Sequence, residues 1–170
     1  MFNMQNRMIK KHYNNTSALQ LTNCLCSLVA LELLYPSREM FLVSPWLTNV
    51  PILNNQYGQF RTINGGQSGR SLGLGDVLAL LSEQGCKVYL ITRPDEHNRA
   101  FLQNLPNSIQ VKKLQDLHDK GWVTKRFYLR GSMNFTYSGI NINSESIEVT
   151  TEEQAVAKAM IEARHQWEIA

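Results

Sequence analysis

Two short clusters in the last third of this 170-residue chain carry side chains suited to phosphate chemistry. The first is His118-Asp119-Lys120. On an extended stretch, positions two apart project from one face, so the imidazole and the ammonium point the same way. The imidazole offers a nucleophile or a proton, and the fixed ammonium neutralises non-bridging phosphate oxygens. The second cluster is Gly131-Ser132-Met133-Asn134. Gly131 permits a tight turn and close backbone approach. Ser132 and Asn134 bring donors near a helix start, where backbone N–H groups also favour anions. Glu145 then closes Asn143-Ser144-Glu145, and a carboxylate there can accept from the imidazole N–H and fix its tautomer. Taken singly, a His-x-Lys is a common surface pair and a Gly-Ser-x-Asn an ordinary turn. Order and spacing together give them meaning.

Apolar spacing supplies the elements that must position these groups. Residues 17–34 have helical periodicity and end at Pro36, and 40–43 form a buried strand stopped by Ser44-Pro45. Residues 76–84 form a helix ended by Gly85, 87–92 a strand, 95–105 a helix and 109–111 a strand. Residues 113–124 and 126–130 read as adjacent strands, and 131–132 as a turn into a short helix. Residues 146–150 read as a strand and 152–167 as a closing helix with Glu152 and Glu153 in its favourable first turn. The alternation predicts an α/β fold: a mixed, largely central β-sheet flanked by helices on both faces. One domain is expected over residues 1–170, with 1–35 as an N-terminal extension and helix. The stretch 49–75 is rich in glycine and reads as a long loop. Its Arg61 and Arg70 are either solvated or part of a flap that touches substrate phosphates. Trp122, sharing a strand face with Lys120, is placed to wall the cleft or stack a base.

Composition narrows the class. Apolar residues make up 43% and charged residues 18%, which is globular. The formal charge of +3 permits a polyanionic partner without demanding one. Three cysteines, with Cys24 and Cys26 one residue apart, give neither a disulfide framework nor zinc spacing. The apolar run 25–34 contains Glu32 and is too short to span a bilayer. The N-terminus has no secretory h-region. These features point to a soluble, cytoplasmic protein without a membrane partner.

The combination of His118-x-Lys120, Gly131-Ser132-x-Asn134 and Glu145 resembles the phospholipase D superfamily, and within it the small single-motif bacterial nucleases. The likeness is specific over 113–150. It is looser upstream, where Phe41-Leu42-Val43-Ser44-Pro45-Trp46 resembles an early family strand. The resemblance implies His118, Lys120, Asn134 and Glu145 as catalytic residues, and Ser132 and Gly131 at the substrate, with no cofactor and no metal. Family members use two such motifs in one site, and this chain has one. It therefore implies a homodimer that brings two His118 rings to one phosphodiester of DNA or RNA. The motif's Asp falls at position 125, where this chain has Lys125. That departure supports an alternative: a catalytically impaired nucleic-acid-binding subunit, working with other subunits of a bacterial defence or DNA-modification system. A lipid substrate is disfavoured, because the chain has no basic interfacial helix and no lipid-anchor signal.

Overall fold

Short β-rich apolar runs make the centre of the molecule, and polar segments make its edges. The computed structural model describes residues 6–12, 16–58, 60–62 and 69–170. The elements run β1 (Asn6–Lys11), α1 (Thr16–Leu34), β2 (Glu39–Val43), β3 (Pro51–Leu53), β4 (Leu72–Gly73), α2 (Leu74–Glu83) and β5 (Lys87–Thr92). A 3₁₀ turn, Glu96–Asn98, leads into α3 (Arg99–Gln103), followed by β6 (Gln110–Lys113), β7 (Gly121–Val123) and β8 (Tyr128–Gly131). A π-helical turn, Ser138–Ile142, precedes β9 (Glu145–Thr150) and α4 (Glu153–Ile169).

Among the described residues, seven strands form one mixed sheet in the order β1-β9-β8-β7-β2-β5-β6. Strands β2, β5 and β6 are parallel to one another, and β7, β8, β9 and β1 continue the sheet antiparallel. Alternation along β2 divides the core. Met40 and Leu42 face a large cluster with Leu21, Leu25 and Val29 of α1 and Leu74, Val77 and Leu81 of α2. Phe41 faces the other way, onto Ala159, Met160 and Ala163 of α4. The sheet is therefore covered on both faces, as the α/β pattern predicts.

Three local readings need correction. The polar leader contains β1, an edge strand whose alternate residues Ile9 and Lys11 are buried among polar neighbours, which hides it from a hydrophobicity pattern. The glycine-rich stretch is not all loop: β3 and β4 pair antiparallel within it, while residues 59 and 63–68, with Gly65 and Gly66, lie outside the described residues. Residues 113–124 are not one strand, because β6 ends at Lys113 and β7 begins only at Gly121. His118 and Lys120 thus stand on a connection.

Candidate active site

One edge of the sheet collects the chemistry. The parallel strands β2, β5 and β6 all end there, and crevices at the carboxyl ends of such strands are where α/β sheets bind ligands. The antiparallel strands reach the same edge: β7 starts opposite the end of β2, with Gly121 beside Val43, and β8 ends there at Gly131. Trp46 follows β2, Arg93 follows β5, His118 and Lys120 follow β6, Ser132 and Asn134 follow β8, and Glu145 opens β9.

The connection that carries His118 is anchored rather than loose. Leu117 is 2% exposed and packs with Val43 and Ile91. Burying a leucine side chain contributes about 1.5–3 kcal/mol. The Leu117 carbonyl accepts from Arg93 Nε at 2.7 Å, and Asp119 Oδ2 accepts from Gln166 of α4 at 3.2 Å. Lys120 curls back, its Nζ donating to the His118 carbonyl at 2.7 Å. His118 is exposed. A cleft of about 700 Å³ opens beside it, walled by Lys120, Gly121, Arg130 and, from α4, His165 and Gln166.

Sequence reasoning misses Arg93. Its Nη2 lies 3.0 Å from His118 Nδ1 and 3.5 Å from Nε2. Guanidinium nitrogens only donate, so the ring nitrogen it meets acts as an unprotonated acceptor. The same guanidinium carbon sits 5.3 Å from the Trp46 ring centroid. Asn98, fully buried, fixes these two strand ends against each other. Its amide donates to Pro45 O at 2.8 Å, Thr92 Oγ1 at 2.9 Å and Arg93 O at 3.0 Å, and its Oδ1 accepts from Leu47 N at 2.8 Å. Only the strand-end position of Thr92-Arg93-Pro94 hints at Arg93, and no local signal marks Asn98, which sits in the polar run Asp95-Glu96-His97-Asn98-Arg99.

The second cluster docks on the first through β2. Ser44 Oγ accepts from Phe135 N at 3.2 Å, and Phe135 O accepts from Thr48 N at 3.1 Å. Gly131 has φ +154°, and a Cβ there would lie 2.0 Å from Ser146 O, so the site excludes any side chain. That close approach places Ser132, whose hydroxyl donates to Glu145 and accepts from Ser146 N at 3.0 Å. Asn143 Nδ2 approaches Glu145 Oε1 at 3.5 Å. Asn134 Oδ1 is buried and has no partner among the described residues. Lys11, opposite Glu145 in the β1–β9 register, is 2% exposed and donates to Gly139 O and Ile140 O at 2.9 Å each. Burial lowers its pKa from 10.5, partly offset by the nearby Glu145 carboxylate.

The predicted residues therefore fall into two groups within one chain. His118 and Lys120 are together with Arg93, while Ser132 and Glu145 are together with Asn143. Among the described residues the His118 ring bonds to Arg93 and not to Glu145. Trp122 is a correction: it is 1% exposed and packs edge-on to Phe127 and Phe135, so it cannot stack a base. The alternation from Lys120 fails because the strand starts after Lys120. Arg70 pairs with Asp76 at 2.8 Å and Arg61 is exposed; among the described residues neither bonds to the two groups above. Lys125 is exposed in the β7–β8 turn, at the end of β7 opposite to His118. That turn is held by Glu32 of α1, 1% exposed, which accepts from Ser37 N at 3.1 Å, Thr124 Oγ1 at 2.8 Å and Arg126 Nη1 at 3.4 Å.

A mixed sheet covered on both faces, with a His-x-Lys and a Gly-Ser-x-Asn meeting at the carboxyl edge, defines a phospholipase D-like protein. The family model described as "Cardiolipin synthase, PLD-like domain" matches residues 71–167, and the chain belongs to this phospholipase D-like family. No curated protein matches it. Among solved structures it is similar to NucT from Helicobacter pylori, with 16% identity, TM-score 0.62, and coverage of 94% of this chain and 93% of that one. It is equally similar to the phospholipase D family member Nuc from Salmonella typhimurium, with 12% identity, TM-score 0.62, and coverage of 96% and 93%. A third likeness is TrmBL2, an archaeal chromatin protein with a novel mode of DNA binding, with 11% identity, TM-score 0.52, and coverage of 100% and 55%. At these identities the likeness is one of fold. No helix among the described residues is long and apolar enough to cross a membrane.

Proposed function

We propose that the protein is a metal-independent phosphodiesterase that cleaves DNA or RNA, with its working site completed by a second copy. The observation that carries this reading is the exposed His118 at the carboxyl edge of a phospholipase D-like sheet, its ring against Arg93 and its backbone carbonyl held by Lys120. His118 of one protomer attacks phosphorus. The P–N bond forms as the bond to the leaving oxygen breaks, and the partner's His118 protonates that oxygen. Water then adds to phosphorus, giving its proton to the partner's His118, and the P–N bond breaks. Lys120 and Arg93 neutralise the phosphoryl oxygens, and Ser132 and Asn134 add donors. Arg93 leaves the ring for the phosphate as substrate arrives, which frees the nitrogen it occupies.

The test is incubation of purified protein with plasmid and with single-stranded DNA in excess chelator. Cleavage is expected and is lost in His118→Ala. No cleavage by wild type across pH, or equal cleavage by His118→Ala, overturns the proposal. One observation favours a non-catalytic nucleic-acid-binding subunit instead: Glu145 is engaged by Ser132, and among the described residues no carboxylate of the same chain bonds to the His118 ring. That reading predicts salt-sensitive DNA binding without turnover.

A further inference from the structure

A second recess, which shares no wall residue with the cleft beside His118, has Trp46 in its wall. It has a volume of about 410 Å³, and its walls include Trp46, Tyr137, Asp95, Asn134 and Asn143. Trp46 is 38% exposed and Tyr137 57% exposed, so two aromatic rings stand open to solvent at its rim. Large aromatics left exposed beside a phosphate-binding centre are the usual platform on which unpaired bases stack. Among its polar groups Asp95 is the one that can only accept, beside hydroxyls, amides and His97. Asp95 receives the His97 backbone N–H at 2.8 Å and the Trp46 indole N–H at 3.3 Å. These donors, with the backbone one leading, hold its carboxyl below the usual range, so it is an anion at neutral pH. Asn134 Oδ1 receives no donor among the described residues. The recess is joined to the reacting centre by one side chain: Arg93 stacks on Trp46 and touches His118. A phosphate held at His118 would therefore carry its neighbouring base toward these rings.

We propose that this recess binds the base of a nucleotide adjoining the scissile phosphate in single-stranded nucleic acid, and that it prefers bases bearing an exocyclic amino group. The inference rests on the nucleic-acid reading above and adds the strand form and the base class. A paired base is already stacked and has its edge engaged, so it must leave the duplex before it can enter. Cytosine and adenine present an N–H₂ donor to Asp95, whereas thymine presents a carbonyl at the equivalent place, acceptor against acceptor.

The experiment measures binding of labelled oligo-dC and oligo-dT of equal length to the full protein by fluorescence anisotropy, in chelator at one fixed salt concentration. Wild type is expected to bind oligo-dC at least about fivefold more tightly. Trp46→Ala and Tyr137→Ala should each weaken oligo-dC binding by about 5- to 150-fold. Tyr137, being exposed, keeps the test valid if Trp46→Ala fails to fold. Asp95→Asn should level the two oligomers, while Lys120→Ala should weaken both alike. Equal binding of the two oligomers by wild type, or unchanged binding by both aromatic variants, overturns the recess. If DNA is nevertheless cleaved, the phosphodiesterase reading survives that failure. Binding of neither oligomer with hydrolysis of a short-chain phosphatidylcholine overturns both.

Discussion

Replacing Gly131 by alanine should couple a measurable loss of stability to loss of the site. Its φ of +154° lies where a side chain is strained, at a cost of about 1–3 kcal/mol. The added Cβ would also meet Ser146 O at 2.0 Å, Ile147 Cα at 2.9 Å and Ser146 C at 3.0 Å, all backbone atoms that cannot rotate away. Strands β8 and β9 must part there. The bonds from Ser132 N to Ser146 O and from Ser146 N to Ser132 Oγ, both 3.0 Å, lie at that point. Weakening one or both costs about 0.5–1.5 kcal/mol each. The total, about 1.5–6 kcal/mol, is a large part of a typical stability of about 5–15 kcal/mol. Gly85→Ala is the control: its φ is +91°, but an added Cβ meets nothing within 4 Å, so it carries only the conformational cost of about 1–2 kcal/mol. Urea unfolding at one protomer concentration reads both. Gly131→Ala should have the lower midpoint and should displace Ser132 and Glu145, lowering turnover as well. Equal midpoints for the two variants would refute the steric reasoning.

Two other substitutions probe the scaffold. Glu32→Gln should destabilise by about 2–4 kcal/mol, because the buried carboxylate accepts from a backbone N–H and from Arg126, neither of which can accept from an amide in return. Thermal or urea unfolding no different from wild type would show that Glu32 does not hold the β7–β8 turn. Cys86 is buried, and burial, with Glu32 and Glu39 nearby, pushes its thiol from 9.0 up to about 12. The unfolded thiol ionises first, so this contribution to stability is complete below about pH 9 and is lost as pH rises toward 12. Cys86→Ala should therefore flatten the alkaline arm of the stability profile, and an unchanged arm would contradict the assignment.

Much of the fold and of the site is legible in the amino-acid sequence. The strand at 87–92 and the helix closing the chain follow directly from apolar spacing, and the two motifs locate the candidate residues at one end of the sheet. What stays hidden depends on contacts distant in sequence. Strand β1 buries a lysine instead of an apolar residue, and that lysine is tolerable only because the carbonyls of the π-helical turn receive its N–H groups. Trp122 is misread from sequence because the alternation that would pair it with Lys120 does not hold outside a strand, and β7 begins only at Gly121. Arg93 and Asn98 belong to no local pattern; they matter because β2, β5 and β6 end side by side. The replacement of the motif's Asp by Lys125 also reads differently in three dimensions. A carboxylate does support that turn, but it comes from Glu32 on α1.

In the proposed site two His118 rings serve one phosphate. A crystal structure with orthovanadate and a short oligonucleotide tests it most directly. A dimer is expected, with vanadium bonded to one His118 ring nitrogen and the partner's His118 on the opposite side of the metal. Vanadate bound away from His118, or a dimer whose His118 rings lie too far apart to share it, would overturn the two-histidine site.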